Sequence, residues 1–253
     1  MKKVLTVILL TVISFGGYAQ RGGGAPNWIS IAVKGGYGNS IFLCKQKNDV
    51  QNGKLEYEPM APSYSVGGRL GVVFVDKIGA SVEFLSADYK PKNNFNDGDE
   101  KLTSNFDMKT TDFLLLARYT GEYGFYCELG PKFSTAKDFT RDADRIEAAG
   151  IKVTTEGEDV SAHFNDKFTS LVFGCGFSPY NGDRVIVSLG LRASYCTKSI
   201  YKDGTPYGIA KLDTQVLNPE IKPFSVQAML EVCYHFARFG SATCGKQKII
   251  FFK

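Results

Sequence analysis

Residues 223–236 read PFSVQAMLEVCYHF. Taken alternately, they separate into two unlike sets. Phe224, Val226, Ala228, Leu230, Val232, Tyr234 and Phe236 are apolar, with aromatics toward the ends. Ser225, Gln227, Met229, Glu231, Cys233 and His235 form the more polar set and include a carboxylate. Successive side chains of a strand point to opposite faces, so this stretch is one strand with two different faces. Two environments satisfy it. In a soluble sheet the apolar face turns to a core. In a membrane barrel it turns to lipid, and the polar face lines the interior. What the other strands carry on their polar faces decides between the two.

Seven more segments alternate in the same way, at 28–44, 63–75, 78–89, 106–119, 123–135, 167–178 and 184–199. Tyr64, Val66, Leu70, Val72 and Phe74 share a face in the second strand; Val185, Val187, Leu189, Leu191 and Tyr195 do so in the seventh. In the fourth, Leu114 and Leu116 sit on the polar face and blur the alternation. Together the polar faces hold Lys34, Arg69, Glu83, Arg118, Glu128, Arg192 and Glu231. In a soluble core each would be a buried charge, costing several kcal/mol if left unpaired. In a barrel lumen they pair with one another and with water. Glycines on the same faces, among them Gly71, Gly174 and Gly190, leave room for the long side chains.

The connections alternate too. Long ones, 45–62, 90–105, 136–166 and 200–222, separate short ones at 76–77, 120–122 and 179–183. This rhythm predicts an all-β, eight-stranded antiparallel up-and-down transmembrane β-barrel, with both termini on the short-turn side. A soluble lipocalin-like ligand-binding barrel is the alternative, but its polarity is the reverse, apolar inside and polar outside. An eight-stranded barrel is just wide enough for side chains to fill. The architecture is porin-like, yet a diffusion pore is not expected.

The first residues, MKKVLTVILLTVISFGGYAQ, place Lys2 and Lys3 before an apolar run and close on small residues. This is the layout of a signal peptide, with cleavage after Ala19, and the run is short of the ~20 residues of a spanning helix. The expected organisation is a signal peptide at 1–19, a barrel at 20–236 and a basic tail at 237–253 that folds back or docks on a partner. Loss of Lys2 and Lys3 takes the formal charge from +4 to +2, too little for a nucleic-acid partner. The six cysteines, at 44, 127, 175, 196, 233 and 244, show no CxxC or metal spacing and read mostly as small hydrophobes.

The segment ending Tyr18-Ala19-Gln20, the Lys34-Gly35-Gly36 of the first strand, the eight amphipathic strands and the final strand ending at Phe236 resemble the small PorT-like outer-membrane barrels of Bacteroidota. The resemblance spans about 28–236. It implies an OmpA/OmpX-like barrel in the bacterial outer membrane, supporting protein secretion as an accessory subunit of a cell-envelope complex. It departs from the family at the C-terminus, where residues 237–253 follow the final strand.

Two regions are candidates for function. The first is the lumen charge network of the seven residues above. The second is the longest connection, 136–166. Phe139, Ala143 and Ile146 recur there at helical spacing before Gly150, which predicts a short helix. Phe139, Arg141, Asp142, Arg145 and Glu147 are its candidate interaction residues, and its excess of acids suits a cationic protein partner. The oxygen-rich NFNDGDE at 94–100 does not match calcium-loop spacing and reads as a turn. Ser161 and His163 are the residues on which a lipid-modifying barrel enzyme would rest, but no orienting acid is evident. The expectation is a non-catalytic protein without cofactor or metal, in contact with outer-membrane lipid and a protein partner.

Overall fold

The computed structural model describes residues 27–44, 54–57, 61–75, 77–97, 100–146, 152–182, 184–202, 221–241 and 247–251. The expected signal segment lies outside them. The strands are β1 (Asn27–Cys44), β2 (Lys54–Tyr57), β3 (Pro62–Val75), β4 (Ile78–Tyr89), β5 (Lys92–Asp97), β6 (Glu100–Thr120), β7 (Phe125–Ile146), β8 (Lys152–Asp159), β9 (Lys167–Asn181), β10 (Val185–Cys196), β11 (Ile221–Ser241) and β12 (Gln247–Phe251).

Eight of them close into a ring. Antiparallel ladders run β1–β3–β4–β6–β7–β9–β10–β11 and return to β1 through the long β11–β1 pairing. Closure leaves no sheet edge within the ring, the condition for strands to cross a bilayer. The β6–β7 turn, Glu122–Gly124, is tight: Tyr123 and Gly124 have φ of 58° and 77°. Both are left-handed, which glycine accepts and tyrosine rarely does. The Tyr123 ring projects outward and is 99% exposed.

The structure corrects the reading of the long connections. No helix forms among the described residues at 136–146. Residues up to Ile146 continue β7, and Lys152–Asp159 return as β8. The helical spacing of Phe139, Ala143 and Ile146 is overridden by a ladder in which Phe106 pairs with Arg141 and Thr103 with Asp144. Gly150 lies outside the described residues. β2 and β5 form in the other connections expected to be loops, so the sheet runs on past the ring as β2-β5-β6-β7-β8. Of 94–100, residues 94–97 belong to β5 and Glu100 to β6, with Asp97 paired opposite Glu100. At the other end of the barrel β11 runs to Ser241. The basic tail folds back there, pairing Gln247–Phe251 with Ala237–Ser241.

The outside of the ring is a belt of exposed apolar side chains, including Val33 (68%), Val66, Leu70, Phe84, Leu129, Phe173, Leu191 and Leu230. Tyr37, Tyr64 and Tyr195 flank it toward the long connections; Tyr119, Tyr180 and Tyr234 flank it toward the short turns. Burying such a belt in lipid is the favourable term that holds a membrane barrel in place.

Polarity then inverts along the same strands. In β6, the inward positions Arg118 and Asp112 give way to Met108 and Phe106, while the outward positions change from Leu115 and Phe113 to Lys109 and Asp107. A one-residue bulge in β7 at Lys137, opposite Lys109 and Thr110, re-phases that strand so that Phe139 points inward. The inversion level is the membrane surface. Below it the ring's exterior meets lipid; above it the exterior meets water and the apolar side chains turn in. A lipocalin-like barrel would be apolar inside along its whole length, so that alternative is overturned.

Cys127 and Cys175 stand opposite each other across the β7–β9 ladder as free, half-buried thiols on the lipid side, and Cys196 and Cys233 are free and buried. The side chains of Cys44 and Cys244 lie outside the described residues.

Candidate functional site

The side chains lining the lumen stack in layers. The layer nearest the short turns contains Lys34, Arg69, Glu83, Arg118, Glu128, Arg192 and Glu231, drawn from seven strands and all at least nine-tenths buried. Lys34 sits at the hub. Its ammonium lies 2.9 Å from Glu83, 3.3 Å from Glu128 and 3.1 Å from Glu231. Arg192 donates to Glu83 at 2.7 and 3.1 Å and to Glu128 from Nε at 2.9 Å, with a second bond to Glu128 from its terminal nitrogen. Arg118 donates to Glu231 at 2.8 Å and stacks over the buried Tyr126 ring at 4.0 Å. Arg69 donates to the same Glu231 oxygen.

Neighbouring glycines make this packing possible. A Cβ on Gly174 would meet Glu128 at 2.7 Å, and one on Gly71 would meet the Arg69 guanidinium at 2.5 Å. Leu114 and Leu116, which break the alternation of β6, fill the lumen beside the charges with Leu85 and Val172.

A second polar layer lies nearer the long connections. Lys132 donates to the Tyr89 hydroxyl at 3.0 Å and to Ser194 at 3.3 Å, and lies 3.5 Å from Asp112. Asp112 also accepts from Tyr89 at 3.0 Å and Thr110 at 2.8 Å. The seven lumen charges read from the sequence include neither Asp112 nor Lys132. The signal was there: Lys132 has the parity of Glu128, and Tyr89 that of Glu83.

Above this layer the barrel is closed by an aromatic plug. Phe42, Phe106, Phe139 and Phe164 stack or meet edge to face, with Phe139 and Phe164 centroids 4.0 Å apart, and Tyr201 caps Phe164 at 5.8 Å. Met108, Phe168, Ile200 and Ile221 complete it. Charge, polar layer and plug leave no through-channel among the described residues. A cavity of about 60 Å³ opens at the short-turn mouth, bordered by Arg69, Arg118, Thr120, Ser178, Glu231 and Cys233.

The candidate interaction residues on 136–166 divide. Phe139 is a correction, since it is 3% exposed inside the plug and is not offered to a partner. Arg141 reaches Glu158 with bonds of 3.1 and 2.5 Å, and Asp142 accepts from the Gly157 amide at 2.7 Å, so both tie β8 to β7. The Arg145 side chain and all of Glu147 lie outside the described residues. On β8, Thr154 through Asp159 are exposed and include three acids, Glu156, Glu158 and Asp159.

Ser161 and His163 lie in a short 3-10 turn after β8. The Ser161 amide donates to Asp159 at 2.9 Å, and hydrogen bonding from Ser161 holds the Asp159 carboxyl below its usual range. Ser161 is thus engaged with Asp159, and no bond joins it to His163 among the described residues. His235 stacks on Trp28 at the short-turn end, with centroids 5.1 Å apart.

No protein family matches the chain, and no characterised protein matches it in sequence. Among solved structures it is similar to the outer-membrane protein OprG from Pseudomonas aeruginosa, at 14% identity over 87% of this chain and 99% of that one, with a TM-score of 0.41. It is similar to Neisserial surface protein A at 12% identity over 81% and 96%, with a TM-score of 0.35. It is also similar to the outer-membrane protease OmpT from Escherichia coli, at 11% identity over 85% and 98%, with a TM-score of 0.33. At these scores the likeness is loose, and the barrel rests on its own strand pairing.

Proposed function

We propose that this chain, after loss of its signal peptide, is a non-catalytic barrel of the bacterial outer membrane that serves as an accessory or scaffold subunit. It docks a protein partner on its long-connection rim, in an envelope complex of the secretion type that the resemblance to PorT-like barrels of Bacteroidota implies. The observation that carries this reading is where the chain places its exposed polar surface. The lumen is filled, so conduction is not its work. Past the ring the sheet continues into the β7–β8 hairpin, whose outer strand shows three acids to water. A bulge between Arg141 and Ala143 and the charges on β8 blunt that edge against indiscriminate strand pairing, leaving a surface suited to a basic partner.

The test replaces 143–158 with a Gly-Ser turn and keeps Phe139 and Val160 in the plug. Wild type and variant are purified from native outer membrane in mild detergent. The variant is expected to keep the heat-dependent gel mobility of a closed barrel while losing the co-purifying protein. Equal recovery of the same partner from both would move attention to the folded-back tail. Recovery of the wild type in the soluble periplasm would refute the reading.

A further inference from the structure

The seven charges of the lower lumen do not balance. Lys34, Arg69, Arg118 and Arg192 face Glu83, Glu128 and Glu231, four cations against three anions, while Lys132 and Asp112 above them pair with each other. The imbalance has a location. Arg192 takes Glu83 and Glu128, and Lys34 is shared among all three acids. Glu231 is left to serve both Arg69 and Arg118: the two share its Oε1, and Arg118 also reaches its Oε2 at 3.1 Å. These two arginines border the cavity that opens at the short-turn mouth.

Among the described residues, two buried polar atoms near this mouth lack a hydrogen-bond partner. Arg69 is 8% exposed, and its buried Nε makes no hydrogen bond. Its guanidinium lies over Gly71, two residues closer to the mouth. Gly71 is paired with Ser81, whose buried hydroxyl is also without a partner. Buried polar groups are almost always satisfied, and a surplus buried cation demands a counter-charge. The cavity has room for more than one water-sized group.

We propose that the short-turn mouth is a carboxylate-binding site in which Arg69 and Arg118 receive a small carboxylate alongside Glu231. Guanidinium groups match carboxylate oxygens in planar, charge-assisted pairs. Thr120 and Ser178 border the same cavity and supply hydroxyls at its entrance. The cavity holds a carboxylate group and little more, so the ligand is either a free small acid or the terminal carboxylate of a peptide entering from the short-turn side. The site needs no partner on the rim, so it stands or falls separately from the proposed docking function.

The test uses the full-length barrel in detergent micelles with labelled acetate as the probe, followed by NMR saturation transfer. Saturable binding is expected, with contacts from the acetate methyl to Val73 and Ile186 at the mouth. Arg69→Gln equalises the charge count and is expected to weaken binding by about tenfold or more, whereas Glu158→Gln on the rim leaves it unchanged. Triglycine with a free C-terminus, set against its amidated form, separates the two sources. Displacement of acetate by the free form alone assigns the site to a peptide end; displacement by neither assigns it to a free small acid. Absence of saturable binding, contacts mapped elsewhere, or binding indifferent to Arg69→Gln overturns the proposal. If Arg69→Gln does not fold, the wild-type contact map decides alone.

Discussion

The two ends of the lumen are built from the same strands by opposite rules. Toward the short turns the interior holds seven charges; toward the long connections it holds a stack of phenylalanines. The difference lies in what surrounds each end. Within the membrane, burial of the outer apolar belt holds the strands, so the interior can be ionic provided its charges find one another. Beyond the membrane the same strands have water outside. They cohere only if apolar side chains turn inward, as in any soluble domain. The lower lumen is therefore held by specific pairing and the upper lumen by packing, and the two should fail differently.

The largest effect is expected at the shared acid. Glu231→Leu removes the acceptor of Arg69 and Arg118 and one partner of Lys34, stranding buried cations. Breaking a buried pair in this way costs about 3–5 kcal/mol. The whole ring should lose stability, read as a lower urea midpoint for the heat-dependent gel shift. A midpoint equal to wild type would mean that the lower lumen is not held by its charges.

Next comes the plug. Phe139→Ala empties a ring stacked on Phe164 and flanked by Phe106, a cavity-forming change of about 3–5 kcal/mol. Here the loss should be local. The β7–β8 hairpin is expected to become protease-sensitive while the membrane ring keeps its gel mobility. Collapse of the entire barrel would show that plug and ring form one cooperative unit rather than two.

A smaller effect tests the boundary between them. Lys132→Met alone strands Asp112 and should cost a few kcal/mol, whereas Lys132→Met with Asp112→Asn should recover most of it, since replacing both members of a buried pair is often close to neutral. Additive losses in this double-mutant cycle would show that the two side chains do not depend on each other. The smallest effect belongs to the rim. Glu158→Gln weakens a pair in which Glu158 is 42% exposed, worth about 0.2–1 kcal/mol. A loss matching that of Glu231→Leu would erase the distinction between rim and lumen.

Much of this was legible in the chain. Whether a residue points in or out is a local property of the pleated backbone, so alternate reading of 223–236 already placed Glu231 opposite Leu230 and Val232. The same reading gave eight strands, three short turns and the faces of the seven charges. It failed where a second periodicity was offered by chance, as with Phe139, Ala143 and Ile146. Their spacing suits a helix, but the ladder from β6 made that segment a strand.

Level along the barrel axis is a different kind of quantity. It depends on the register of every ladder around the closed ring, and no single strand carries it. Local sequence therefore determined that Lys34, Arg192 and Glu128 face inward; only ring closure decided that they meet, that Lys132 reaches Asp112 one layer higher, and that Arg69 and Arg118 are left sharing one acid. The same holds for the inversion of polarity near Thr110. The alternation of apolar and polar residues is written in each strand, but which solvent lies outside at each height is set by the assembled barrel and the membrane around it.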